Sequence, residues 1–229
     1  MSTEAQKLPT CIGIILDGNR RWARERDLPT LIGHRKGFDN LMEAARWVRD
    51  AGVPHLFVWA FSTENWNRSA EEVSYLMDLF RELAGEKMQE LAKENVRIRF
   101  AGQRERFDKE IQSLMEEAEE KSKNNTGLTV WVGLSYGGRA EIIDAAQRLQ
   151  KAGKEITDES LRGAMWTADM PDPDIIIRTG GEKRLSGFLT WSGVYSELFF
   201  PKVYWPAFSK SDLDEILKKY ANRDRRRGK

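Results

Sequence analysis

Ile12-Gly13-Ile14-Ile15-Leu16-Asp17-Gly18-Asn19-Arg20-Arg21-Trp22 is the stretch that decides the predicted fold of this chain. An apolar run as long as a buried strand stops at one carboxylate, and Gly18 and Asn19 then turn the chain into a basic segment that favours a helix. Ligands bind at the carboxyl ends of strands in open α/β sheets, so Asp17 beside Arg21 suggests a divalent cation and a phosphorylated ligand held together. A solvated Asp-Gly turn is the alternative, because this dipeptide is common in turns.

The composition limits the possible partners and surroundings. The 229 residues favour a single domain over 1–229, with a polar leader at 1–10 and a basic tail at 222–229. The 37 basic and 36 acidic side chains give a formal charge of +1, so we expect no nucleic-acid partner. One cysteine, Cys11, provides neither a disulfide framework nor a cysteine-rich metal site, which fits a reducing cytoplasm. No apolar run approaches the ~20 residues of a membrane span, so any membrane contact is expected to be peripheral.

Strands and helices alternate along the chain, which predicts an α/β fold with a central, mostly parallel six-stranded sheet flanked by helices. The predicted strands are 12–16, 53–61, 96–101, 128–135, 174–177 and 197–200. The predicted helices are 19–27, 33–51, 70–94, 105–123, 140–151, 158–165 and 209–220. The helix at 70–94 is unusually long, at about 1.5 Å per residue. Its apolar stripe fits two interpretations, a channel wall or a simple cover over the sheet.

Polar clusters follow three of these strands, at 17–22, 62–68 and 178–186. In the third cluster, Arg178, Arg184 and Ser186 are interleaved with glycines that allow close approach of the backbone to a ligand. Arginine forks suit phosphate oxygens, and each charge-assisted hydrogen bond contributes roughly 1.5–3 kcal/mol. Two or three such bonds would hold a diphosphate. An ordinary surface loop with unpaired arginines is the alternative interpretation.

Taken together and in order, the motifs resemble the cis-prenyltransferase family from about Cys11 to the C-terminus. They are Asp17-Gly18-Asn19-Arg20-Arg21-Trp22-Ala23, Gly33-His34, Phe61-Ser62-Thr63-Glu64-Asn65-Trp66-Asn67-Arg68, Tyr136-Gly137-Gly138-Arg139, Arg178-Thr179-Gly180-Gly181-Glu182 and Arg184-x-Ser186.

The resemblance implies a homodimer that uses Mg²⁺ and condenses isopentenyl diphosphate with an allylic diphosphate such as farnesyl diphosphate. The growing Z-prenyl chain needs a dry channel, so we expect a hydrophobic tunnel between the sheet and the two long helices. The implied product is a polyprenyl diphosphate such as undecaprenyl diphosphate. Two alternatives remain, a short-chain Z-farnesyl-type synthase and a non-catalytic partner subunit of a heteromeric prenyltransferase.

The resemblance also implies roles for individual residues. Asp17 and Asn65 correspond to catalytic residues, and Asp17 and Glu197 to metal-binding ones. The positions that match the allylic diphosphate site are Gly18, Asn19, Arg20, Arg21, Trp22 and His34. The positions that match residues between the two substrates are Ser62, Trp66 and Arg68, and those that match the isopentenyl diphosphate site are Arg178, Arg184 and Ser186. Arg226-Arg227-Gly228 resembles an element that reaches the site of the partner subunit.

Thr30, Ser69 and Trp131 depart from the family pattern, and Trp131 and Ala60 leave the product length open. Many members carry Arg where this chain has Thr30, so one contact to the allylic diphosphate is either missing or supplied by Arg20. Trp131 is bulky on the fourth strand, which predicts a shortened channel. Ala60 is small where short-chain members are often bulkier.

Overall fold

A computed structural model describes residues 8–223, and its strands form one sheet in which every neighbouring pair is parallel. The order across this six-stranded sheet is β3-β4-β2-β1-β5-β6. The strands are β1 (Cys11–Ile15), β2 (His55–Ser62), β3 (Arg97–Ala101), β4 (Thr129–Tyr136), β5 (Ile175–Arg178) and β6 (Glu197–Phe199). The predicted fold class is confirmed. The leader at 1–7 and the tail at 224–229, with Arg226-Arg227-Gly228, lie outside the described residues.

Eight α-helices lie between and after the described strands. They are α1 (Asn19–Arg24), α2 (Thr30–Asp50), α3 (Ala70–Glu82), α4 (Met88–Lys93), α5 (Lys109–Ser122), α6 (Gly138–Lys151), α7 (Asp158–Ala164) and α8 (Lys210–Ala221). Helix α2 begins three residues earlier than predicted, directly after Pro29 in an extended conformation. The predicted helix at 105–123 begins later, because Asp108 caps α5 by accepting a 2.9 Å hydrogen bond from the backbone N–H of Ile111. None of the described helices is long and apolar enough to cross a membrane.

The long helix predicted at 70–94 is interrupted by a π-helical turn, Leu83–Lys87, between α3 and α4. Such a turn places an additional residue in the helix and rotates the side chains that follow. Leu79, Leu83, Met88 and Leu91 are nevertheless all buried on the same apolar cluster. The hydrophobic periodicity therefore gave the burial correctly and missed the change in helix type.

The two faces of the sheet pack against different apolar layers. Side chains of one face, including Ile14, Val58, Val130 and Val132, join the buried cluster formed with α2, α3, α4, α5 and α8. Trp131 lies between two of these positions and points to the opposite face, where it packs with other aromatic and aliphatic side chains. The prediction that Trp131 shortens the channel is therefore wrong, because side chains alternate along a strand.

The strand register brings the ends of the central strands to one edge of the sheet. Ile15 of β1 lies opposite Trp59 of β2 and opposite Arg178 of β5. The chain continues from β1 to β2 on one side and later places β5 on the other side. A crevice at such a reversal of strand order is where open α/β sheets bind ligands.

Candidate active site

Helix α1 is held unusually close to α2 by two glycines on α2. A Cβ atom at Gly33 would lie 2.9 Å from the carbonyl carbon of Asn19, and one at Gly37 would lie 2.9 Å from its side-chain Cγ. Real Cβ atoms essentially never come nearer than 3.0 Å to such atoms. These glycines therefore let α2 support the turn that carries Asp17, the first residue of the site.

Asp17 joins the first and third polar clusters. Its Oδ1 accepts a 3.0 Å hydrogen bond from Nη2 of Arg21. Its Oδ2 accepts from Nη2 and Nε of Arg178, at 2.8 and 3.2 Å. The hydroxyl of Thr179 donates to the backbone carbonyl of Asp17 at 2.7 Å. The structure thus places one carboxylate between two arginines at the end of β1.

The loop after β5 is folded around the buried Arg178. Nη1 of Arg178 donates to the carbonyl oxygen of Arg184 at 2.7 Å and to the hydroxyl of Ser186 at 2.9 Å. Glu182 accepts from Arg21 at 3.3 Å and from Arg184 at 2.5 Å, so it bridges the two clusters. Glu182 was not predicted as a site residue, because its place in a Gly-Gly-Glu turn is typical of a solvated acid.

A second ion cluster lies on the other side of the cleft. Glu72, in the first turn of α3, accepts hydrogen bonds from Nη1 of Arg68 at 2.9 Å and from Nε2 of His34 at 3.0 Å. Arg20 lies 4.0 Å from the same carboxylate. Glu72 was not predicted as a site residue, because an acidic residue in the first turn of a helix ordinarily faces solvent.

Charge and burial set the protonation states of this cluster. Burial lowers the pKa of His34, and this effect outweighs the hydrogen bond to Glu72, so the imidazole is neutral and donates from Nε2. Burial raises the pKa of Glu72, but the charge of Arg68 and the hydrogen bond from His34 hold that pKa below its ordinary value. Glu72 is therefore an ionised carboxylate that positions a neutral histidine and an arginine.

Ser62 and Asn65 shape the remaining edge of the site. The backbone N–H of Ser62 donates to Oδ1 of Asn65 at 3.0 Å, and the hydroxyl of Ser62 accepts from the backbone of Asn65. This reciprocal capping fixes the short 3₁₀ helix Thr63–Asn67. Both residues line the same cavity as Asp17 and Arg178.

That cavity has a volume of about 380 Å³ and joins a polar mouth to an apolar interior. The interior is lined from α2, α3, the π-helical turn and β2 by Phe38, Leu41, Ala60, Leu76, Leu79, Phe80 and Leu83. It occupies the space predicted for the tunnel, between the sheet and the two long helices. A continuous tunnel stays a prediction.

Beside the mouth lies an arginine-lined cleft of about 490 Å³. Of the described residues that line it, six are arginines and two are carboxylates: Arg20, Arg21, Arg24, Arg68, Arg178 and Arg184, with Asp17 and Glu182. Gly18 and Asn19 also line it. Although Thr30 replaces the family arginine, Arg20 and Arg24 bring positive charge to this region. The excess of positive charge suits a ligand that carries several negative charges.

The described residues contain no group of three histidine, cysteine or acidic side chains that could hold a metal ion. This does not conflict with Mg²⁺, which is commonly bound through one or two carboxylates together with phosphate oxygens and water. Asp17, with both oxygens directed toward the cleft arginines, fits such a site.

Three predicted site residues lie outside the lining of both spaces. Trp22 is half-buried and stacks with the guanidinium of Arg26, 4.6 Å from its ring centre. Trp66 belongs to the Thr63–Asn67 helix and donates from Nε1 to the hydroxyl of Ser135 at 2.9 Å, so it anchors this helix to β4. Glu197 is the third.

Glu197 lies at the opposite end of the sheet from Asp17. It begins β6 opposite Ile175, which in turn lies opposite Ile12 at the start of β1. At about 3.3 Å per residue, the three steps from Ile12 to Ile15 alone span roughly 10 Å along the strand, and Asp17 lies beyond its end. Glu197 forms an ion pair with Arg223. One chain alone therefore does not bring the two predicted metal ligands together.

Comparisons with known proteins agree with this geometry. A family model described as putative undecaprenyl diphosphate synthase matches residues 15–228. The chain is 43% identical over 227 residues to an isoprenyl transferase of Neisseria gonorrhoeae, covering 99% of this chain and 92% of that protein. It is 42% identical over 227 residues to an isoprenyl transferase of Thermotoga maritima, covering 97% of each.

Two solved structures share the whole fold. A lavandulyl diphosphate synthase from Lavandula x intermedia, crystallised with dimethylallyl diphosphate, has a TM-score of 0.92 and 29% identity, covering 97% of this chain and 99% of that one. A probable undecaprenyl diphosphate synthase from Campylobacter jejuni has a TM-score of 0.83 and 30% identity, covering 98% and 100%.

Three findings define the class of protein: the parallel sheet, the carboxylate that two arginines hold, and these relatives. It is a transferase of prenyl groups. Within that class, the chain belongs to the undecaprenyl diphosphate synthase family, the cis-prenyltransferases.

Proposed function

We propose that this protein condenses isopentenyl diphosphate with an allylic diphosphate such as farnesyl diphosphate, in a reaction that requires Mg²⁺. In this reaction the allylic carbon–oxygen bond breaks and diphosphate leaves. The double bond of isopentenyl diphosphate forms a new carbon–carbon bond to the freed carbon, and one proton is released. The observation that carries the proposal is Asp17, joined to Arg21 and Arg178 at the mouth of an apolar cavity.

The charged residues support the departure of diphosphate. Arg21 holds its fork beside Asp17, where negative charge grows on the leaving group, and preorganised charge of this kind contributes strongly to catalysis. Arg184 and Ser186 lie on the same loop as Arg178, in the position of the second diphosphate. Bound Mg²⁺, held by Asp17 and diphosphate oxygens, would neutralise part of that charge.

The apolar cavity supports elongation beyond the first condensation. Each CH₂ group that stays buried contributes about 0.8 kcal/mol, so a chain gains several kcal/mol for every isoprene unit that it keeps inside. Elongation then ends when the cavity is full. We propose a polyprenyl product such as undecaprenyl diphosphate.

One observation favours a second candidate, a short-chain Z-farnesyl-type synthase. The cavity of about 380 Å³ lies near the lower end of the range for small-molecule pockets. A polyprenyl product therefore requires the wall formed by Phe80 and Leu83 to open. Sizing the products separates the two candidates.

The decisive experiment supplies purified protein with labelled isopentenyl diphosphate, several allylic starters and Mg²⁺, and measures the length of the lipids formed. We expect Asp17→Asn to lose nearly all turnover and to remain folded. Asp214→Asn, on the remote helix α8, is the matched control and should keep full turnover. Near-normal turnover of Asp17→Asn would reject the proposed role of this carboxylate, and wild-type protein that forms no lipid would reject the function.

We also propose that the protein works as a homodimer. Val194 and Tyr195, which precede the edge strand β6, are strongly exposed, as is Ile143 on α6. Large apolar side chains exposed next to each other are typical of an interface. Sedimentation should show a dimer, and Val194→Asp should shift it toward monomer. A wild-type protein that sediments as a monomer would reject this arrangement.

A further inference from the structure

The segment 201–205 joins the two turns that carry arginines of the site. The backbone N–H of Trp205 donates to the carbonyl oxygen of Asp17, in the turn after β1, at 3.0 Å. The backbone N–H of Gly180, in the turn after β5, donates to the carbonyl oxygen of Val203 at 2.7 Å. These hydrogen bonds fix the segment between the two turns.

The side chain of Tyr204, in this segment, contacts helix α1 at its start, its middle and its end. A Cβ atom at Gly18, the N-cap of α1, would lie only 2.7 Å from Cδ1 of Tyr204. Cζ of Arg21 lies over the ring of Tyr204, 5.3 Å from its centre. The hydroxyl of Tyr204 donates to Oε1 of Glu25, the C-cap of α1, at 2.6 Å. One half-buried side chain therefore spans the whole helix.

Arg21 is held by two different kinds of contact. Its Nη1 donates to the carbonyl oxygen of Gly180 at 3.1 Å and to Oε1 of Glu182 at 3.3 Å, and its Nη2 donates to Oδ1 of Asp17. Tyr204 instead attracts the cation through the π-electrons of its ring. A diphosphate that binds Arg21 competes with the two carboxylates for its N–H groups and leaves the ring contact in place.

We propose that Tyr204 is a positioning residue, which keeps Arg21 in place for the allylic diphosphate. This inference rests on the proposed function. A guanidinium that is fixed before the ligand arrives loses less conformational freedom on binding, so the ligand binds more tightly. Arg178 and Ser186, which we assign to the isopentenyl diphosphate site, form their hydrogen bond with each other. The ring of Tyr204 should therefore matter for one substrate and not for the other.

The test compares the Michaelis constants of Tyr204→Leu for the two substrates with those of wild type. Loss of a ring that holds a cation should raise the constant for the allylic diphosphate about fivefold. The constant for isopentenyl diphosphate should stay as in wild type. Equal increases in the two constants would overturn the proposal, because they would indicate a general loss of structure. Tyr204→Met, which also lacks the ring, gives the same comparison if Tyr204→Leu fails to fold.

Two variants separate the ring from the hydroxyl and from general packing. Tyr204→Phe keeps the ring and loses the hydrogen bond to Glu25, so its constant for the allylic diphosphate should stay close to that of wild type. Tyr75→Leu is the matched control, because Tyr75 is also a half-buried tyrosine but lies on α3, outside the lining of the cavity and of the cleft. It should keep the wild-type ratio of the two constants. The proposal is overturned if Tyr204→Phe is as impaired as Tyr204→Leu, or if the ratio changes as much in the control.

A binding measurement shows whether Tyr204 acts through Arg21. The probe is inorganic diphosphate with Mg²⁺, titrated by calorimetry in the absence of prenyl substrates. Tyr204→Leu should raise the dissociation constant of this probe about fivefold when Arg21 is present. In an Arg21→Gln background, the same change should have less than about a twofold effect, because the effects of two residues that act as one unit do not add. Equal effects in both backgrounds would show that Tyr204 does not act through Arg21.

Condensation of the two substrates by wild-type protein is measured separately. If wild-type protein forms prenyl product and Tyr204→Leu binds inorganic diphosphate as wild type does, the positioning role is wrong and the function stands. If the coupling between Tyr204 and Arg21 is found but wild-type protein forms no prenyl product, the proposed function alone is overturned.

Discussion

Gly33→Ala tests whether the close contact between α1 and α2 sets the geometry of the site. The new Cβ would lie 2.9 Å from the carbonyl carbon of Asn19, closer still to its oxygen, and 3.1 Å from the Cβ of Ala23. The first two are backbone atoms, so no flexible side chain can move aside. Helix α1, which carries Arg20 and Arg21, must shift away from α2.

The expected magnitude follows from two opposing effects. Replacing a helical glycine by alanine alone stabilises a protein by about 0.5–1 kcal/mol. Overpacking a close contact destabilises it by about 1–3 kcal/mol. The free energy of unfolding should therefore fall by up to about 2 kcal/mol. Displacing catalytic groups by about 1 Å lowers turnover roughly 10²-fold, so activity should fall far more than stability.

Urea unfolding and steady-state condensation kinetics measure the two quantities. Gly163→Ala is the control, because it also lies in a helix, α7, and a Cβ there would have no neighbour within 4 Å. It should gain about 0.5–1 kcal/mol of stability and keep its turnover. If Gly33→Ala is as active and as stable as wild type, the proposed role of the close helix contact is wrong.

Three further predictions concern the site and its cavity. Arg178→Lys removes the guanidinium fork that holds Asp17. It should raise the Michaelis constant for isopentenyl diphosphate about tenfold or more, and that for the allylic substrate less. Equal changes in the two constants would count against assigning Arg178 to the isopentenyl diphosphate site. Phe80→Ala should lengthen the products by enlarging the cavity, while Trp131→Ala, on the other face of the sheet, should leave their length unchanged. The opposite result would show that Trp131, and not Phe80, faces the cavity. Because burial holds the pKa of His34 below its ordinary value, protonation favours the unfolded state, so stability is lost as pH falls below about 6.5. Urea midpoints measured at several pH values should show this loss in wild type and less of it in His34→Gln; identical pH profiles would remove His34 from this role.

The position of Asp17 beside Arg178 was within reach of the sequence. Each follows an apolar run, and parallel strands end at the same edge of a sheet, so two such runs bring their next residues together. The apolar stripes of 33–51 and 70–94 likewise indicated helix faces that pack on the sheet, but they did not separate a cavity wall at 70–94 from a simple cover.

The same reasoning could not predict on which face of the sheet the side chain of Trp131 lies. Its strand is apolar on both sides, with Val130 and Val132 as buried as Trp131 itself, so the pattern carries no signal for which face is which. Glu72 was missed for a related reason, since its partners His34 and Arg68 come from other elements. The carboxylate of Glu72 gains these partners only when the chain folds, so its sequence neighbours do not distinguish it from a solvated acid.

Asp17 is already neutralised by the protein's own arginines before any substrate arrives. In the proposed reaction, a diphosphate that binds beside this carboxylate takes Arg21 or Arg178 from it, so binding exchanges one set of partners for another. The proposed reaction therefore rearranges charge in the cleft at each turnover, and the contacts of Asp17 with Arg21 and Arg178 fix the shape of the strand-to-helix turn.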